Sequence, residues 1–250
     1  MKTHALILLA ATLVLTGCSS TSKKEPGETS VADIYVQKGV QYMESGQLDV
    51  ALQDLQHAIE LDGRNSEAHN AIAVLYGRLD RPGDAETHFK RALSLDSNNA
   101  STLNNYGRFL CARGQYDQAM DYYRQAIGSP LYSQPWVALT NAGLCARSSG
   151  KKAETEEYLR KALEKNPAFP PALLEMAKLS FENGQFMSAR AFLQRYEAVA
   201  APTAEALWIG VQTEQALGNS QAVGDYINTL RSRFPDSREA LQARRLQSDY

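Results

Sequence analysis

Small and apolar residues recur along this chain at a near-constant interval of about 34 residues. Glycines mark it at Gly46, Gly114, Gly150, Gly184 and Gly218, spaced by 68, 36, 34 and 34, with Asp80 at the midpoint of the long gap. A second small position is filled by Gly39, Ala73, Gly107, Gly143 and Ala177. A third carries Ala51, Ala85, Ala119 and Ala189, with Thr155 and Val223 in the same register. Four residues further on stands a large apolar side chain: Leu55, Phe89, Tyr123, Leu159, Leu193 and Ile227. Then follow Ala58, Ala92, Ala126 and Ala162, replaced by Tyr196 and Leu230 in the last two units. Pro167 and Pro235 fall where a helix must stop. The period predicts two antiparallel helices per unit, A and B, with the small residue of A letting B approach closely. Six units follow: 32–65, 66–99, 100–135, 136–169, 170–203 and 204–237. Unit three holds two extra residues in its turn-rich stretch from Gly128 to Pro135, and units five and six depart most from the pattern. Residues 238–250 read as a solvent-facing capping helix, which a stack of repeats needs at its end.

This pattern resembles the tetratricopeptide repeat. The resemblance implies an all-α protein, a right-handed superhelical solenoid of six tetratricopeptide repeats with a C-terminal capping helix. Each helix pair buries its apolar stripe only against its neighbours, so the core is quasi-linear.

The first residues have a different pattern. Lys2 is followed by an apolar run from Ala5 to Thr16, too short to span a bilayer and suited to a secretory signal peptide over 1–17. Leu15-Thr16-Gly17-Cys18 resembles the lipobox of bacterial lipoproteins, and that resemblance implies acylation of Cys18 with three chains. One chain binds a membrane only marginally, so three make a stable anchor. Ser19, in place of the Asp that resembles an inner-membrane retention signal, points to the inner leaflet of the outer membrane. Residues 18–31 then comprise the lipidated cysteine and a polar tether with Pro26 and Gly27. As a coil that tether reaches roughly 20 Å.

Composition adds exclusions. The chain has 250 residues, 44% hydrophobic and 22% charged, with a net charge of −2. That rules out wholesale disorder and gives no basic face for nucleic acid. Catalytic signatures are missing: there is no phosphate-cradling loop, no GxGxxG, no GxSxG, no HExxH and no CxxC pair. His57, His69 and His88 have no metal-ligand spacing partner and read as helix-surface or groove residues. The expectation is a binding scaffold, not an enzyme, with no cofactor and no metal.

Two cysteines remain beside Cys18. Cys111 and Cys145 stand in matching Leu-Cys-Ala-Arg strings on helix A of units three and four. Adjacent A helices pack side by side, and a periplasmic thiol pair persists as a disulfide. The two registers differ by two positions; the expectation is a Cys111–Cys145 bridge stapling the irregular unit, with a pair of buried free thiols as the alternative. On the concave, helix A face, Val36, Val40, Met43, Asn70, Val74, Asn104, Arg108, Leu144 and Arg147 form a candidate protein-binding groove. Polar groups there would bond a peptide backbone while side chains enter pockets. Val36, Val40 and Met43 have no preceding unit to cover them, so unit one is the expected apolar docking site. The alternative is that these side chains fill the interior of the superhelix.

A lipobox followed by six such repeats, with the Asn104-Asn105-Tyr106-Gly107 run and the paired cysteines, resembles the PilF/PilW family of type IV pilus biogenesis lipoproteins along the whole chain. The family implies a pilotin: a monomer anchored through Cys18, helping the type IV pilus secretin to reach the outer membrane and multimerise there. Two alternatives are a tetratricopeptide scaffold lipoprotein for envelope assembly or cell-wall enzyme regulation, and an enzyme whose active site carries no familiar signature.

Overall fold

The computed structural model describes residues 29–248; the expected signal peptide, Cys18 and the expected tether through residue 28 lie outside the described residues. Among the described residues the chain forms thirteen α-helices and no strand. Twelve pair as α1 (Val31–Glu44) with α2 (Leu48–Leu61), α3 (Ser66–Arg78) with α4 (Pro82–Leu95), and α5 (Ala100–Ala112) with α6 (Tyr116–Gly128). They continue as α7 (Pro135–Ser148) with α8 (Lys152–Lys165), α9 (Pro170–Glu182) with α10 (Phe186–Glu197), and α11 (Ala204–Ala216) with α12 (Ser220–Arg233). The thirteenth, α13 (Arg238–Ser248), closes the stack.

Local chemistry sets where these helices begin and end. Asn65 and Asn99 cap α3 and α5, each side-chain oxygen accepting from a backbone N–H three residues on at 2.9 Å. Thr203 and Asn219 do the same for α11 and α12. Pro82, Pro135 and Pro170 take the first position of α4, α7 and α9, where the missing N–H costs nothing. Between A and B the chain reverses through a left-handed residue. Five of the six turns use glycine, with φ between 72° and 79°, and the sixth uses Asp80 at φ 54°.

Within each pair, the small residue on A lies over the large one on B. A Cβ added at Gly39 would sit 2.6 Å from Cγ of Leu55, and one at Gly107 would sit 2.9 Å from Cε1 of Tyr123. Leu55, Phe89, Tyr123, Leu159 and Leu193 are almost completely buried in these seams. Each contributes about 1.5–3 kcal/mol by leaving water. Between pairs, α3 packs on α1, α5 on α3, α7 on α5 and α11 on α9. Arg147 of α7 reaches across to Glu175 of α9, so the A helices follow one another as a single strip. At the C-terminal end α13 rests on α11 and α12 and buries Ala240 and Ala243.

Candidate functional site

The strip of A helices is built from residues that face neither their own B helix nor the solvent outside the stack. Two of the expected groove residues are not on it. Val36 and Met43 are buried in the core with Leu55 and Ala58, and Val40 is half-buried against the same cluster. The reason is helical spacing. Val36, Gly39 and Met43 fall three to four residues apart on one face, and α1 turns that face to α2. The lack of a preceding unit exposes Val31 and Ile34 instead. Unit one therefore does not present the expected apolar docking set.

Polar residues on the strip tie neighbouring units together. Asn105 Nδ2 donates to Asn70 Oδ1 at 3.2 Å, and Asn141 Nδ2 donates to Asn104 Oδ1 at 2.9 Å. Asn104 is consequently largely buried, with its Oδ1 occupied by Asn141. Sequence reasoning did not place Asn105 and Asn141 on the strip; the doubled asparagine at 104–105 was the available signal. Cys145 is buried and Cys111 half-buried. The structure joins them as a disulfide with a Cα–Cα distance of 5.8 Å, within the bridging range.

Further along the strip, charges cancel. Arg147 donates to Glu175 at 2.8 Å and also to Glu182, so it serves the seam between α7 and α9. Lys178 pairs with Glu175 and Glu205; burial pulls its pKa down, but these two partners outweigh burial and leave it raised. Leu144 beside them is half-buried.

Units two and three differ. A cavity of about 340 Å³ opens between α3 and α5, lined by Val74, Gly77, Arg78, Asn105, Arg108 and Phe109. Phe89 lies at its base, stacked on Tyr106 at 5.1 Å between ring centroids. Gly77 keeps the space open, because a Cβ there would already touch Phe109 at 3.7 Å. Arg78 Nη1 donates to the Met43 carbonyl at 2.9 Å. Arg108 is exposed and makes no hydrogen bond or ion pair among the described residues.

The histidines are not all where surface placement would put them. His57 is exposed beside Glu60. His69 is buried, and its Nδ1 lies 2.9 Å from Nδ1 of the half-buried His88. Among the described residues no cluster of three or more metal-ligating side chains is found.

The tetratricopeptide repeat family model matches residues 36–100 and 107–170, and related models of the same repeat match 88–121 and 146–208. The type IV pilus assembly protein PilF of Pseudomonas aeruginosa is 29% identical over 244 residues, covering 96% of this chain and 97% of that protein. The crystal structure of PilW, a widely conserved type IV pilus biogenesis factor, matches with a TM-score of 0.75 at 32% identity, over 86% of this chain and 99% of that one. The structure of Pseudomonas aeruginosa PilF matches with a TM-score of 0.74 at 29% identity, over 88% and 97%.

Proposed function

Because this chain belongs to the tetratricopeptide repeat family and, within it, to the PilF/PilW type IV pilus biogenesis proteins, we propose that it acts as a pilotin, an outer-membrane lipoprotein that binds the type IV pilus secretin and promotes its localisation and multimerisation. The observation that carries this reading is similarity to PilF over almost the entire chain. Three physical parts support it. Lipid on Cys18 supplies the address on the periplasmic face of the outer membrane, a short tether supplies reach, and the strip of A helices supplies a surface for a client subunit. In this reading 1–17 is removed, six repeats over 32–237 form the working body, and 238–250 caps it. The protein is a monomeric binding scaffold that catalyses nothing.

The test is a deletion strain assayed for secretin multimer in outer-membrane fractions. The multimer is expected to vanish, to return with the wild-type chain, and not to return with Cys18→Ala. Normal multimer in the deletion strain would overturn the pilotin reading and leave a general envelope scaffold in its place.

A further inference from the structure

We propose that the cavity between α3 and α5 seats an acidic side chain, Asp or Glu, from the interior of an extended peptide segment of the partner, with an adjacent apolar residue resting on Val74 and Phe109. This rests on the binding-scaffold reading of the A-helix strip and adds to it the chemistry of the segment bound.

Charge is the first reason. Along the strip Arg147 and Lys178 are both taken up by carboxylates of this chain. The residues lining the α3–α5 cavity include two arginines and no carboxylate. Among the described residues Arg108 has no hydrogen-bonded or ion-paired partner, and Arg78 uses only Nη1, on the Met43 carbonyl. Two arginines thus edge one small space with no carboxylate beside them, in a protein of net negative charge, and the Arg108 guanidinium is the one left without a partner among the described residues. The planar, forked donors of Arg108 match a carboxylate. A half-apolar wall strengthens that attraction relative to open water.

Shape is the second. At about 340 Å³ the space is at the small end of ligand pockets, a size for one or two side chains. Its other walls are Val74, Phe109 and the open face left by Gly77, which suit an aliphatic neighbour of the acid.

Continuity is the third, and it favours a segment interior over a chain end. A second cavity of about 370 Å³, lined by Ser101, Asn104, Tyr132, Gln134 and Val137, also includes Asn105. Asn105 therefore stands between two successive pockets, held by its hydrogen bond to Asn70. An extended chain crossing it would send alternate side chains downward, the geometry by which peptides are read in grooves. The first pocket takes the acid. The second, edged by Ser101, Asn104 and Gln134, takes a polar residue.

The test uses the full mature chain and two immobilised pools of C-terminally amidated dodecapeptides. The pools are random except at one central position, Asp or Glu in one and Asn or Gln in the other. Wild type is expected to retain on the acidic pool about tenfold more strongly, the scale of a charged hydrogen-bonded pair. Arg108→Gln should abolish the preference with an unchanged melting temperature, and Arg108→Lys should restore part of it. Equal retention of wild type on the two pools would overturn the proposal, as would a preference that survives Arg108→Gln. Preference appearing only when the peptides carry a free terminal carboxylate would overturn the segment-interior assignment. Secretin multimer is scored in the corresponding strains. A wild type without the acidic preference but with normal, Cys18-dependent multimer sinks this site alone. Multimer that forms without the protein sinks the pilotin reading instead.

Discussion

Nδ1 of His69 lies 2.9 Å from Nδ1 of His88 inside the second helix pair, and Nε2 of His69 lies 3.3 Å from the Gly63 carbonyl. A neutral His69 that donates through Nε2 to Gly63 must accept at Nδ1, so His88 donates through Nδ1. Tyr76 packs over His88 at 5.5 Å between ring centroids. The pair has room for one proton between the facing nitrogens, and a second brings repulsion.

Burial holds both imidazoles below the usual histidine range, and for His88 the charge of His69 lowers it further. The unfolded chain takes up protons near pH 6.5 while the folded chain does not. Stability from this pair is therefore complete above that pH and falls as the pH drops through it. Melting temperature should decline from pH 7 to 5.5 more steeply in the wild type than in His88→Gln. Equal slopes would show that the pair does not titrate with unfolding.

Gly107→Ala places a methyl 2.9 Å from Tyr123, whose side chain is buried. The expected loss is about 1–3 kcal/mol in urea unfolding, the usual cost of overpacking. Gly224 lies within α12 with nothing near its virtual Cβ. There alanine should add about 0.5–1 kcal/mol through helix propensity. If both substitutions shift stability in the same direction, close approach is not what selects Gly107.

Glu214 is buried and receives two hydrogen bonds from Arg190 and one from Asn219 at 3.0 Å. Arg190→Ala would strand that carboxylate. Unfolding free energy should fall by about 3 kcal/mol. Adding Glu214→Gln should recover part of the loss, since a neutral amide is cheaper to bury. No recovery in the double variant would mean the pair is not the source.

The turn at Asp80 is the one of six that holds a side chain at positive φ. Asp80→Gly should leave stability unchanged or slightly raised, relief of strain offsetting the added freedom of the unfolded chain. Gly150 holds φ at 79°, and Gly150→Ala should cost about 1 kcal/mol. Paired thermal melts read both.

Cys111 and Cys145 are 34 residues apart and joined. Denatured, unreduced mature protein should show no titratable thiol. Reduction should lower stability by about 3–4 kcal/mol on the chain-entropy account. Two free thiols in the unreduced sample would remove the bridge.

Periodicity carried most of the fold. Gly39 over Leu55 and Gly107 over Tyr123 were visible as a repeating small-then-large pair, because close helix packing admits few residue types at those positions. The groove was legible only in part. Arg108 and Val74 reach the cavity, whereas Val36 and Met43 turn inward and Asn104 is tied to Asn141. Sequence spacing gives the face of a helix, but a face shared with two neighbours divides at an angle that only packing fixes. Glu175, Glu182 and Glu205 could not be matched to Arg147 and Lys178 from the sequence, since each partnership except Lys178–Glu175 joins different helices.

By itself the sequence determined the element type, the pairing of helices, the turn residues and the order of the units. All of these depend on contacts within one repeat length of chain, about 34 residues. The tertiary structure alone decided which strip residues stay free. Whether a guanidinium meets a carboxylate depends on how successive helix pairs are stacked, and a repeat period does not encode that angle. This is why Arg147 is consumed and Arg108 is not.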